Sequence, residues 1–172
     1  LTAPGKIEPR FDEARGFTGL EEATKFVQDQ AGRHDGLIQG MLAPDLVKTC
    51  AMALLVVIMD TARGLDVPVR LRIAQGEMER DTVAALHDTT APKWLAGFGA
   101  LSDQLIAPHA TVATDTDLQR YVDHGVTMAR IADDTQTETA PEHLQRRCAG
   151  PIWGGSRLEQ WPISPFLILP MP

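Results

Sequence analysis

The sequence predicts an α/β domain: a parallel sheet with helices packed outside it. Two observations point there. Short apolar runs alternate with helical patterns through short connections, the order that lays parallel strands side by side and puts helices on the faces. The runs are also apolar along most of their length, as strands covered on both faces are, rather than alternating apolar and polar.

Each element has its own warrant. Leu1–Gly16 carries two prolines and no periodicity and reads as irregular. Thr18-Gly-Leu-Glu21 has the form of a capping box, so a helix is expected from there to about Gln30, stopping at Gly32. Leu37–Ala43 reads as a strand ended by Pro44, and Thr49 as the cap of a helix over Cys50–Arg63 with Gly64 just past its end. Val67–Ala74 is the second strand, with Pro68 tolerable only at its start. Gly76–His87 reads as a charged helix, and Thr90-Ala-Pro92 opens a short one to about Ala96. Leu105–Ala110 is the third strand; Thr114 caps a helix over Asp115–Asp123 that Gly125 stops; Val126–Ala132 is the fourth strand. The domain boundary falls at 132. Residues 133–172 form a polar, Thr-rich and then Pro- and Trp-containing tail without a clear period.

Composition excludes several classes. A length of 172 residues is enough for one domain with a core, and 44% hydrophobic with 23% charged residues is ordinary globular composition. The net charge of −7, with no basic face, argues against a nucleic-acid partner. The longest apolar run, Ala51–Met59, falls short of the roughly 20 residues that span a bilayer and reads as a buried helix, so no membrane partner is expected. Leu1–Arg15 is polar and broken by Pro and Gly, unlike a secretory leader. Cys50 and Cys148 lie in no C-x-x-C, which argues against a cysteine zinc site; two free thiols in a cytoplasmic protein are expected.

An ordered series of short stretches carries a resemblance: Leu37–Pro44 with Thr49-Cys50, Val69-Arg-Leu-Arg-Ile-Ala-Gln75, Trp94-Leu95, Gly99-Ala-Leu-Ser-Asp-Gln-Leu105, and Ala107-Pro-His-Ala110. The segment Gly16–Ala132 resembles the amidohydrolase superfamily, nearest the branch of metal-dependent deaminases and triazine chlorohydrolases. The stretches then correspond to the fourth, fifth and sixth strands of a TIM-barrel-like fold. That family's barrel has about 250 residues or more, with its site at the C-terminal strand ends. The expectation is therefore a partial (β/α) barrel without the first three strands and without their H-x-H metal pair. No H-x-H occurs here; His34, His87, His109, His124 and His143 are isolated.

The resemblance also implies roles. The strand-five histidine, a metal ligand in the family, falls on Arg72, which has no lone pair to offer a cation. Gln75 falls where relatives place a substrate-handling Glu or Gln, and His109 where they place the histidine beside the metal-bound hydroxide. Thr137-Glu-Thr-Ala-Pro141 resembles the eighth-strand motif, placing Glu138 where the family's Asp ligates metal and moves protons. The implied site is His109 and Glu138 as catalytic and metal residues, with Gln75 contacting substrate; Arg72, by its own charge at a strand end, is a candidate contact for an anionic substrate. The implied cofactor is zinc or iron, absent if the replaced ligands leave no site. The implied substrate is a small amino- or halo-substituted heterocycle.

Bland readings stand beside these. An isolated His after a strand is also a structural hydrogen-bonding residue. Arg72 is expected to pair with Glu77 or Glu79. Gln75 also serves as a polar strand cap, Asp133-Asp134 as solvated loop acids, and His124 as a cation at a helix end. A non-catalytic binding module or partner subunit is the alternative to a hydrolase. Homo-oligomerisation is expected, because an incomplete barrel leaves sheet edges and an apolar face uncovered.

Overall fold

The computed structural model describes residues 12–129. Helix α1 (Glu13–Gln30) starts earlier than the sequence suggests, because Asp12 caps it by accepting the Arg15 N–H at 3.1 Å. Thr18, expected as the cap, lies inside the helix and donates its hydroxyl to the Ala14 carbonyl. Gly16 is accepted within this helix for a packing reason: a Cβ there would sit 2.9 Å from Leu54 Cδ2, so the missing side chain lets α1 approach its neighbour.

No strand forms over 37–43. Leu42 alone makes a parallel bridge, to Val69, and Leu46 makes another, to Arg72. The backbone bonds Leu42 N–H to Pro68 O and Arg70 N–H to Leu42 O hold this stretch alongside the sheet edge. A single 3₁₀ turn, Val47–Thr49, intervenes before α2 (Met52–Leu65). Helix α2 is capped by Ala51, not Thr49. It runs through Gly64 and ends at Asp66, which takes the left-handed conformation at φ 54°. Its apolar run is buried on one side only: Leu55, Ile58, Met59 and Ala62 are inside, while Met52 and Val57 are exposed.

Strand β1 (Val69–Arg70) is shorter than the expected Val67–Ala74, with further bridges at Arg72 and Ile73 carrying the pairing to one residue short of the predicted end. Helices α3 (Glu77–His87) and α4 (Ala91–Gly97) follow, then β2 (Leu105–Pro108), α5 (Asp115–Asp123) and β3 (Thr127–Ala129). The sheet order is β1-β2-β3 and both pairings are parallel, in the register Val69 with Leu105 and Ile106 with Thr127. A closed barrel is not formed by the described residues. The predicted strand residues 130–132 and the tail 133–172 lie outside them.

Alternation along β1 and its extension sorts the side chains. Val69, Leu71 and Ile73 are buried with Leu105 and Ala107 in one core that also holds Leu55, Val83, Leu95, Leu118 and Tyr121 from the helices. Each such fully buried aliphatic side chain contributes about 1.5–3 kcal/mol relative to exposure. Arg70 and Arg72 fall on the opposite face and are half-buried. The helix-covered face thus holds the fold, and the other face carries charge.

Candidate functional site

Three sequence-predicted residues come together at the C-terminal end of the sheet. Ile73 bridges His109 in parallel, so the chain leaves β1 and β2 at the same level. Beyond them both connections turn sharply. Ala74 has φ 54°, His109 φ 77° and Ala110 φ 53°, three non-glycine residues in the left-handed region. The two turns are tied by Val112 N–H donating to Ala74 O at 3.0 Å. Gln75 therefore stands in the turn after Arg72, beside the turn that carries His109.

Glu79 builds the first of these turns. Its carboxylate, 4% exposed, accepts the N–H of Ala74 at 2.7 Å and of Gln75 at 3.2 Å. Burial pushes this carboxyl above its ordinary pKa, while the two N–H bonds and the charges of Lys48 and Arg72 pull it back in part.

Arg72 pairs differently from the expectation. Its Nη2 donates to Asp45 Oδ1, and neither Glu77 nor Glu79 is its ion-pair partner. Glu79 is committed to backbone N–H groups, and Glu77 lies 4.0 Å from Arg80. The parallel bridge between Leu46 and Arg72 explains the choice, since it brings Asp45 against Arg72 from the sheet-edge side. Pro44-Asp45 just past an apolar run, an acid at a strand end, was the available sequence signal for this missed residue.

His109 keeps its Nδ1 enclosed with no hydrogen-bond partner among the described residues, and the Arg72 Nε is in the same condition. Burial lowers the imidazole's pKa, and the Arg72 and Arg70 guanidiniums lower it further. Its ring therefore feels the charged face. His124 is a separate matter: it ends α5 with Nδ1 2.8 Å from Arg120 O, a helix-end arrangement away from this site. Glu138 lies outside the described residues, as do Asp133 and Asp134.

The donor set does not fit a divalent cation. Among the described residues no group of three His, Cys, Asp or Glu side chains could hold a metal ion. At the strand end the His109 imidazole lies within the field of the Arg72 and Arg70 guanidiniums, and the Asp45 carboxylate is engaged by Arg72.

No protein-family model matches the chain. Among curated proteins it is 29% identical over 103 residues to the 5-methylthioadenosine/S-adenosylhomocysteine deaminase of Halothermothrix orenii, covering 60% of this chain and 24% of that protein. It is 24% identical over 119 residues to the 5'-deoxyadenosine deaminase of Methanosarcina barkeri, covering 69% and 28%. The chain thus spans about a quarter of the length of these relatives. Among solved structures, a zinc-bound adenosine deaminase from Xanthomonas campestris superposes with a TM-score of 0.62 at 23% identity, covering 70% of this chain and 27% of that one. A triazine hydrolase from Arthrobacter aurescens gives 0.65 at 20% identity, covering 78% and 29%. At such identities these structures speak to the fold alone. In sequence the chain is similar to about a quarter of a deaminase of the amidohydrolase superfamily, and in fold to about a quarter of a triazine hydrolase as well.

Proposed function

We propose that this chain is part of a hydrolase acting on a small amino- or halo-substituted heterocycle. The observation that carries the reading is the placement of Gln75 and His109 in two tied turns at the C-terminal ends of neighbouring parallel strands, where folds of this class put their sites. The Gln75 carboxamide, both donor and acceptor, suits the ring nitrogens and exocyclic groups of a heterocycle. The His109 imidazole, held neutral by burial and neighbouring cations, suits a proton acceptor. Glu138 is proposed as a further acid/base carboxylate. Zinc or iron, implied by the family resemblance, is assigned to no described residue here.

A second reading is favoured by one observation, the Arg72–Asp45 pair at the level where a ligand-bearing histidine would be needed. In that reading the chain is a non-catalytic binding module or partner subunit. An assay of ammonia and chloride release decides, run over aminopurine nucleosides, aminopterins and aminochlorotriazines. Turnover of one class, lost in both Gln75→Ala and His109→Ala, supports the hydrolase. No turnover of any class by well-folded protein overturns it in favour of the module.

Self-association belongs to the proposal. The stretch beside the sheet edge exposes Leu37 (80%), Ile38 and Met41, with Phe26 of α1 also exposed. Sedimentation velocity is expected to show a dimer or larger species, weakened in Leu37→Asp; a monomer at all concentrations counts against it. A cytoplasmic location is likewise part of the proposal. No helix among the described residues is long and apolar enough to cross a membrane.

A further inference from the structure

We propose that the end of this sheet is a site for an oxyanion, a carboxylate or phosphate group on a small ligand, and that Arg72 and His109 hold it. The site lies at the same strand ends as the hydrolase reading but does not depend on turnover. A binding titration can succeed where the activity screen fails, and the reverse.

Charge is the first argument. Arg70 and Arg72 share a face of the sheet, and both act on His109. Lys48, in the turn that follows the Leu46 bridge, joins Arg72 in acting on Glu79. Against these three cations the ion-paired acid is Asp45, and its carboxylate is taken by Arg72 Nη2. The other nearby acid, Glu79, is buried and turned onto the N–H groups of Ala74 and Gln75. Arg70 and Lys48 make no ion pair among the described residues.

Unmet hydrogen-bonding capacity is the second argument. The Arg72 Nε and His109 Nδ1 are both enclosed and both without a partner among the described residues. A guanidinium held by Asp45 at Nη2, with its Nε enclosed and unpartnered among the described residues, is oriented rather than merely charged. An oxyanion accepts from such an N–H in the plane of the fork, which is the geometry that makes arginine a carboxylate and phosphate binder. The imidazole supplies its second contact when Nδ1 carries the proton. A cation at the same place would meet repulsion from the guanidinium groups.

The test is isothermal titration of the full 172-residue chain with inorganic phosphate, with acetate and with Zn²⁺ separately. Saturable binding of phosphate or acetate at one per chain is expected, the stronger of the two naming the group. Arg72→Lys keeps the charge but lacks the Nε donor; it and Arg72→Gln are expected to weaken binding by about tenfold or more. His109→Gln should weaken it less, and the Arg72 Nε–H resonance of the wild type should shift on saturation. If Arg72→Gln fails to fold, Arg72→Lys and the resonance decide. No saturable oxyanion binding, or binding unchanged in Arg72→Lys, overturns the proposal. So does stoichiometric Zn²⁺ binding by the wild type that is lost in His109→Ala.

Discussion

Glu79 accepts the backbone N–H of Ala74 at 2.7 Å, across five residues and from inside the next helix. This bond fixes a non-glycine residue at φ 54° just before Gln75. Remove the carboxylate and the buried Ala74 N–H and the part-buried Gln75 N–H lose their acceptor, at up to about 1–3 kcal/mol each. Glu79→Ala is therefore expected to destabilise the chain by roughly 2–5 kcal/mol in urea denaturation. A loss under about 0.5 kcal/mol would mean that the turn is held elsewhere.

The same carboxyl makes stability depend on pH. Its folded-state pKa is raised, chiefly by burial, so its ionisation is harder in the folded chain than in the unfolded one. The sign follows: the contribution is fully present below the ordinary glutamate pKa and is lost as pH rises through the raised folded value. Glu79→Gln cannot ionise. The stability of wild type minus that of Glu79→Gln should fall with rising pH over that window and then level. A difference that grows with pH would show that the two N–H bonds outweigh burial.

Tyr121 gives a prediction of opposite direction. Its side chain is 1% exposed, and its hydroxyl is enclosed with no partner among the described residues. Burial pushes the phenol far up, and the neighbouring Asp117 and Glu79 charges add to it, so the group stays a neutral hydroxyl. Phenylalanine keeps the shape and removes the unmet polar group. Tyr121→Phe should leave stability unchanged or raise it by about 1 kcal/mol. A clear loss would point to a buried water bonded to the hydroxyl.

The sequence was most legible where one local rule decided the structure. Thr114 caps α5 as read, because its hydroxyl accepts the Asp117 N–H and needs nothing distant. Strand β2 leading to His109, helix α3 to within a residue, and the parallel pairing all followed from pattern and order. What failed depended on partners far along the chain. Thr90 opens α4 as read, but its hydroxyl donates to Asp117 at 2.6 Å, twenty-seven residues on, a contact no local pattern announces. Arg72 reaches back an equal distance to Asp45. The stretch 37–43 has a strand's composition, but only Leu42 finds a partner on the sheet edge. Residues up to Gly16 read as irregular, yet Gly16 lies within α1, close against Leu54. In the site, the positions of Gln75 and His109 were legible because they follow strand ends; the charge around them was not, because Asp45 and Lys48 come from the edge segment.

Arg72→His tests how near this sheet end is to a metal centre. The wild type places a guanidinium where a cation would need a lone pair. At about 4 Å and an effective dielectric of about 20, one unit-charge pair repels by about 4 kcal/mol, and a dication by about twice that. Asp45 screens part of this, so the net effect on affinity is smaller. It remains enough to keep Zn²⁺ from binding tightly. In Arg72→His the charge is gone, a second imidazole stands beside His109, and the Asp45 carboxylate is released to ligate. Three donors of the types zinc prefers then converge from β1, β2 and the edge segment. Titration should show weak or no Zn²⁺ binding by the wild type and binding tightened by about a hundredfold or more in the variant. It should be lost again when His109→Ala is added. Equal affinities in the two proteins would mean that Arg72 does not control this position, and the charge argument would fail with it.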